Sequence, residues 1–358
     1  MPATKDDVQR FWGALHDSLH AGGGDGPGRG DLLRSLDDLE DMFRLRRHMA
    51  VVEMPLQALE GLRVLEVGSG AGGHSALFAR HGARVTAVDL TAARTRATRA
   101  KFDVLGESAA GCLAVQADAE RLPFAEDSFD IVYSNGVLHH TPDTEAAVAE
   151  VRRVLKPGGK AVIMLYCKSS WHYWINLWLC VGVLMGKAFR DRHWLGKATE
   201  WGGGHAQTVE NPVTRCYTAA GIRRLFAGFA GLSLRKSEFY FYLIPKLGRL
   251  YRRWQVRRYG THPGGVPVYG EPWPIQSPLE FLLGPVMGWA WFIAATKPAP
   301  GQGALDEPPP AGTASDGSSF MPSPSPPRHG SSSSQQRGSP FDSKPSRPAP
   351  GPVPVPLT

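Results

Sequence analysis

The residues of this chain best suited to chemistry gather around one glycine turn, Leu65-Glu66-Val67-Gly68-Ser69-Gly70-Ala71-Gly72-Gly73. Residues 63–67 read as a short buried strand, and residues 74–80, with Leu77 and Phe78 apolar, carry helical spacing. A strand, a glycine turn and a helix start make a cradle for a nucleotide-like ligand. The glycines let backbone approach the ligand, and the first helical turn offers free N–H groups. Gly68, Gly70 and Gly73 also satisfy the dinucleotide fingerprint GxGxxG, so the turn alone does not choose the ligand.

Asp89 ends a second strand-like run, 84–88, roughly 20 residues after the first glycine, where a carboxylate can accept both hydroxyls of an adenosine ribose. NAD and S-adenosylmethionine share that ribose. Glu66 favours the second, because an acid beside the turn attracts a cationic amino-acid tail and repels a pyrophosphate. The plainer reading of Glu66 is a solvated strand-end residue. Further along come Gln116-Ala117-Asp118-Ala119-Glu120-Arg121-Leu122-Pro123-Phe124, Ser128-Phe129-Asp130-Ile131-Val132-Tyr133-Ser134, Gly136-Val137-Leu138-His139-His140 and Arg153-Val154-Leu155-Lys156-Pro157-Gly158-Gly159. In this order and spacing residues 61–167 closely resemble the class I S-adenosylmethionine-dependent methyltransferases, in the broad group that includes quinone-biosynthesis methyltransferases. The resemblance is weaker from there to about residue 297. It implies S-adenosylmethionine as cofactor, Asp89 with Leu90 on the ribose, Asp118 on the adenine amino group, Ala119 backbone against the ring, and residues around Ser134 at the methionine end. Ser69 stands where that family often has cysteine; the turn is left intact.

These side chains need a scaffold that brings strand ends together. Five strand-like runs alternate with helical runs between Arg63 and Tyr166, which predicts a doubly wound, Rossmann-like α/β sheet with ligands at the carboxyl ends of its strands. Residues 232–243 and 289–296 read as two last strands, and the resemblance implies a mostly parallel sheet of about seven strands with an antiparallel final strand. Glu66, Asp89, Asp118 and Ser134 all fall at strand ends, although Asp118 also suits a helix N-cap. Val8, Phe11, Trp12, Leu15 and Leu19 predict an amphipathic N-terminal helix, and a second helical stretch spans about 31–48. In related enzymes such segments close over the cofactor. Thr218 reads as an N-cap, with Gly221 in place of the Glu of a capping box. The expected divisions are a helical cap with a Gly-rich joint (1–57), the cofactor-binding core (58–167), a lid and substrate segment (168–298) and a disordered Pro/Ser/Gly-rich tail (299–358).

The hydrophobic share of 42 % supplies a substantial core, and the net charge of +7 is concentrated locally. Residues 246–258 place Leu247, Leu250, Tyr251 and Trp254 at i, i+3, i+4 and i+7, with Lys246, Arg249, Arg252, Arg253, Arg257 and Arg258 around them. Such a helix either packs its apolar stripe on the domain or lies on an anionic membrane surface. No nucleic-acid module accompanies the charge, and no Asn-Pro-Pro-aromatic motif follows Ser134, so nucleic acid is disfavoured as a partner. Residues 169–186 lack acidic and basic side chains apart from His172 and read as an internal or lid helix, an interfacial helix, or a membrane span. The 4 cysteines show no metal-type spacing, and no metal site is expected. With no apolar run at the N-terminus, a cytoplasmic protein is expected, with peripheral membrane contact through the basic helix.

His139 and His140 follow the fourth strand and are the candidate bases for an acceptor that keeps its proton; Tyr166, Tyr217 and His205 are further candidates. The plainer reading packs His139 inward and bonds His140 to backbone. The function expected is methyl transfer to a small or lipid-like acceptor, on carbon or oxygen. An NAD-dependent oxidoreductase and a non-catalytic cofactor-binding scaffold remain alternatives.

Overall fold

The computed structural model describes residues 4–20, 28–191, 193–199, 211–243 and 247–301, the side chains of residues 17–20 and 269 excepted. Strands β1 (Arg63–Val67), β2 (Arg84–Asp89), β3 (Leu113–Gln116), β4 (Phe129–Asn135), β5 (Leu155–Tyr166), β6 (Ala230–Ser237) and β7 (Ala290–Thr296) form one seven-stranded sheet in the order β3-β2-β1-β4-β5-β7-β6. The pairings from β3 through β5 are parallel, and β7 runs antiparallel to both of its neighbours. The expected sheet is therefore present, its antiparallel last strand seated between β5 and β6. Chain order reverses between β1 and β4, which opens a crevice at their carboxyl ends.

Helices of seven or more residues are α1 (Lys5–His20), α2 (Arg29–Leu45), α3 (Gly73–Arg80), α4 (Ala92–Leu105), α5 (Thr144–Val154), a π-helix (His172–Leu184), α6 (Ala219–Leu225), α7 (Gly248–Tyr259) and α8 (Pro278–Met287). Two apolar layers follow from strand alternation. Val64, Tyr133 and Val162 pack with Leu39, Phe43, Phe78 and Phe102 of α2–α4 on one face. Leu65, Val67, Val132 and Ile163 pack with Val148, Val151, Ile222 and Phe226 on the other. Each such side chain, fully buried, contributes about 1.5–3 kcal/mol. Among the described residues no helix is long and apolar enough to cross a membrane.

Two boundaries differ from the sequence reading. The stretch expected as strand over 232–243 stops at Ser237, because Glu238 takes a left-handed backbone (φ 67°) and its carboxylate pairs with the buried Arg46 guanidinium. Phe241–Leu243 then forms a 3-10 turn. The second helix ends at Leu45, since Arg47 is left-handed (φ 50°) and His48 caps the short helix that follows. Thr218 is an N-cap as read, accepting from Gly221 N, while a full capping box occurs unforeseen at Ser277 and Glu280. Of the two orientations read for the basic helix, the one that packs its apolar stripe on the domain is not adopted. Gly248 and Gln255 are buried with Tyr251 partly so, whereas Leu247, Leu250 and Trp254 are exposed together with Arg249, Arg253, Arg257 and Arg258. Hydrogen bonds from Gln255 to Glu280 (2.9 Å) and between Tyr251 and Ser277 (3.2 Å) set that orientation. Lys246, His205, Leu19's side chain, most of the Gly-rich joint and the tail beyond Gly301 lie outside the described residues.

The turn after β1 tests this packing directly. Gly72 is left-handed (φ 82°), and a Cβ there would stand 2.7 Å from the Thr98 Cα; Gly70 (φ 55°) has no atom within 4 Å of such a Cβ. Gly72→Ala should cost about 2–5 kcal/mol, the left-handed penalty plus a clash, and Gly70→Ala only about 1–2 kcal/mol. Denaturant melts of both variants measure the difference, and equal losses would contradict the geometry.

Candidate functional site

The turn is anchored from both sides. Gly68 N and Ser69 N donate to the Val88 carbonyl of β2 at 2.8 and 2.9 Å, and a Cβ on Gly68 (φ 79°) would overlap the Val137 side chain. Ser69 Oγ lies 3.2 Å from Thr98 Oγ1. Asp89 is buried at the end of β2, where Thr91 N (2.9 Å) and Thr91 Oγ1 (3.0 Å) donate to its Oδ1 and Gly70 N (3.1 Å) donates to its Oδ2. Oδ2 thus keeps an acceptor position beside the one glycine of the turn with open space at its Cα. The Leu90 carbonyl receives Gln9 Nε2 (3.1 Å) and Gln116 Nε2 (3.0 Å).

Glu66 is not a solvated strand end. Alternation along β1 turns it into the α2–α3 layer, where it is 2 % exposed. The Ser75 hydroxyl donates to Oε2, and His74 Nδ1 stands 3.7 Å from Oε1 and 3.1 Å from the Tyr133 hydroxyl. Burial pushes the Glu66 carboxyl up to about 8, and the nearby Asp89 charge adds to the rise. Burial likewise pulls His74 down to about 4, helped by the charge of Arg46. Both groups are therefore neutral near pH 7. Among the described residues no Lys or Arg pairs with Glu66, so a buried acid waits at the crevice without a cation. A ligand carrying an ammonium group would supply one.

Asp118 lies two residues beyond β3 and begins no helix, so the N-cap alternative fails. It instead closes a tight turn: its Oδ1 accepts from Glu120 N (2.9 Å) and its carbonyl from Arg121 N (3.0 Å). Its Oδ2 pairs with the Lys5 ammonium of α1, which also reaches Glu120 at 2.9 Å. Ala119 packs with the second apolar layer. Ser134 is fully buried and donates to the Val67 carbonyl at 2.9 Å, so its side chain ties β4 to β1. Glu66, Asp89 and Ser134 thus stand at the carboxyl ends of three adjacent strands, with Asp118 just beyond the fourth.

Helix α1 covers this crevice. Besides Lys5 and Gln9, Trp12 reaches His140 (5.2 Å between ring centres) and lies 5.0 Å beneath the Arg94 guanidinium. His139 and His140 sit on a 3-10 turn after β4, both buried. His139 packs inward at 3.8 Å from the Tyr166 ring, and neither of its nitrogens makes a good hydrogen bond among the described residues. Burial, with the neighbouring His140, holds it well below the usual histidine range. His140 Nδ1 lies 2.9 Å from the Val213 carbonyl, which can only accept, and 3.1 Å from both Asn211 Nδ2 and Thr214 Oγ1. The carbonyl calls for a proton on Nδ1 and the Asn211 amide for a lone pair there, so the two contacts compete for that nitrogen and together hold the ring in place. A line of rings continues from His139 through Tyr166 to Trp289 (4.4 Å) and His172 (4.8 Å). Tyr217 is half-buried outside that line, its carbonyl accepting from the Trp291 indole at 3.0 Å. Lys5, Gln9, His74, Thr91 and Asn211 belong to the site and were not singled out from sequence. Lys5 and Gln9 lie on a helix read only for its apolar stripe, and His74 reads there as an ordinary helix start.

Residues 65–163 match the family described as a methyltransferase domain. The chain carries a class I methyltransferase domain. Over 115 residues it is 33 % identical to the sterol 4-C-methyltransferase of Caenorhabditis elegans, a match covering 32 % of this chain and 34 % of that one. It is 38 % identical over 108 residues to the demethylmenaquinone methyltransferase of Thermobifida fusca (30 % and 45 % covered). It is 35 % identical over 116 residues to a ubiquinone/menaquinone biosynthesis C-methyltransferase of Shewanella halifaxensis (32 % and 46 %). The methyltransferase domain therefore spans less than half the length of each of these relatives.

The buried groups make stability depend on pH in both directions. His48, His74, His139 and His172 are held below their ordinary value of 6.5, so the unfolded chain takes up more protons and stability is lost as pH falls through that value. Glu66 behaves oppositely: between 4.5 and about 8 the folded chain holds the extra proton, and stability falls as pH rises. The melting temperature of the ligand-free protein should peak near pH 6.5. In Glu66→Gln the decline from there to pH 8 should be reduced, burial raising Glu280 in the same direction, and scanning calorimetry across pH reads the difference directly. An unchanged decline would show that Glu66 is not the group responsible.

Proposed function

We propose that this protein is an S-adenosylmethionine-dependent methyltransferase whose acceptor is a small, apolar, lipid-like molecule methylated on carbon or oxygen. The buried Glu66 beside the glycine turn, without a cation among the described residues, carries the reading, because the amino group of S-adenosylmethionine supplies the counter-charge that would let it ionise. Asp89 Oδ2 would take the ribose, and Asp118, once released by Lys5, the adenine amino group, with Ala119 and Leu90 backbone beside them. Bound S-adenosylmethionine supplies an electrophilic methyl group on a sulfonium.

The chain's own residues then orient the acceptor and exclude water. Methyl displacement is in line, so positioning provides much of the acceleration. Helix α1 closes the crevice, and the rings of Trp12, His140, His139, Tyr166 and Trp289 form a wall suited to an apolar acceptor. An acceptor that keeps its proton delivers it to His140, whose ring is held by Val213, Asn211 and Thr214. His139 supports the turn by packing. The relatives named for a sterol and for demethylmenaquinone support a lipid-like acceptor.

Incubation with methyl-labelled S-adenosylmethionine and lipid extracts, followed by mass identification of the labelled product, tests the reading. Asp89→Ala should weaken cofactor binding by roughly 10- to 100-fold, the loss of hydrogen bonds to a charged acceptor. His140→Gln should lower kcat by about 100-fold or more while leaving cofactor affinity nearly unchanged. Normal cofactor affinity in Asp89→Ala, or no cofactor binding by the unaltered protein, would contradict the assignment.

A further inference from the structure

At the far end of the line of rings, the surface departs from what a self-contained enzyme needs. The π-helix exposes Trp174, Ile175, Trp178, Leu179 and Leu184; α8 exposes Leu279, Leu282 and Val286; α7 exposes Leu250 and Trp254. Leu184 and Leu282 are each 73 % exposed and Val286 is 70 % exposed, values far above those of side chains packed on a fold.

These helices are joined to one another. The first turn of α8 is held to α7 through Glu280–Gln255 (2.9 Å) and Ser277–Tyr251 (3.2 Å). Its last turn is held to the start of the π-helix by Lys236, whose ammonium donates to the Val286 and Ser169 carbonyls, both at 2.9 Å. Rings continue the link from Trp171 through Phe239 (6.2 Å), Phe241 (4.9 Å) and Tyr251 (5.3 Å) to Trp254 (5.3 Å). The inward faces are therefore Glu280 and Gly284 on α8 and Gly248 and Gln255 on α7, all buried, and the leucine-bearing faces turn outward.

Charge identifies what covers this face. On α7 the exposed Arg249, Arg253, Arg257 and Arg258 alternate with Leu250 and Trp254, whereas Arg252 is engaged with Glu271 at 2.8 Å. The acid between α7 and α8, Glu280, is buried. Apolar and aromatic side chains interleaved with arginines that meet no acid among the described residues match a lipid surface: hydrocarbon below, anionic headgroups at the arginine level. A self-associating face would gain nothing from bringing two such arginine rows together.

We propose that the face formed by the π-helix, α7 and α8 docks on an anionic phospholipid bilayer. The rings from Trp289 and His172 to Tyr166 and His139 then connect the docked face with the crevice. Docking stands independently of the methyltransferase reading, whereas entry of a lipid-borne acceptor from the bilayer rests on it.

Flotation of the full chain with phosphatidylcholine vesicles, with and without phosphatidylserine, tests the docking, with light scattering of the same samples without lipid. The protein should float with the phosphatidylserine vesicles at low salt and largely leave them at high salt, where screening shortens from ~10 Å at 0.1 M to ~3 Å at 1 M. Replacing Arg249, Arg253, Arg257 and Arg258 by Gln should lower the partition coefficient by ~100-fold or more. The set Leu250→Ser, Trp254→Ser and Leu282→Ser should also reduce it. Both sets lie on the outer face, so an unchanged melting temperature shows that they still fold. Failure to float with either vesicle, or flotation untouched by both sets, would overturn the proposal. Concentration-dependent dimers abolished by the serine set, without flotation, would assign the face to a second copy and overturn it equally. Flotation without any binding of S-adenosylmethionine would sustain the docking and remove the methyltransferase reading.

Discussion

A carboxyl group held inside the protein at the end of the central strand constrains most of the site. Strand alternation directs Glu66 into the apolar layer beneath α2 and α3, where water cannot solvate it and where His74, itself neutral, offers no charge. A buried carboxylate without a counter-ion is costly, so the group keeps its proton and gives up some stability above its ordinary range. That cost is explicable if a cation arrives with the ligand. The left-handed glycines beside it serve the same end, since they turn the chain sharply enough to leave room next to the acid and to aim Gly70 N–H at Asp89.

The sheet converts this local arrangement into a pocket. Order reversal between β1 and β4 places the ends of β1, β2 and β4 around one crevice, and α1 lies across it through Lys5, Gln9 and Trp12. Lys5 pairs with both Asp118 and Glu120, and so ties α1 to the turn after β3. Beyond the crevice the ring sequence from His140 to His172 leads to the outward-facing helices, and those helices are tied to the sheet by Lys236 and to each other by Glu280.

Much of the core was legible in the sequence because strand ends and glycine turns are local signals. β1 was read to the residue, and Asp89, Ser134 and the parallel order follow from alternating strand and helix patterns. What escaped was tertiary. Nothing in residues 238–243 announces that Glu238 will break the strand to meet Arg46, almost 200 positions earlier. The orientation of α7 was left open between a stripe packed on the domain and one turned outward; the buried polar pair Gln255–Glu280 decides for the outward one. His140 was legible as a residue just beyond the fourth strand, but its contacts with Asn211, Val213 and Thr214 come from a loop distant in sequence. Lys5 was invisible for the same reason.

Proton release on cofactor binding probes the buried acid most directly. S-adenosylmethionine should be titrated calorimetrically near pH 7 into the unaltered protein and Glu66→Gln, in buffers of different ionisation heat. With the free carboxyl near 8 and ionised beside the bound ammonium group, the unaltered protein should release close to one proton per ligand. Glu66→Gln should release none and bind more weakly. Equal affinity in the two proteins, or tight binding without proton release, would contradict a site organised around Glu66.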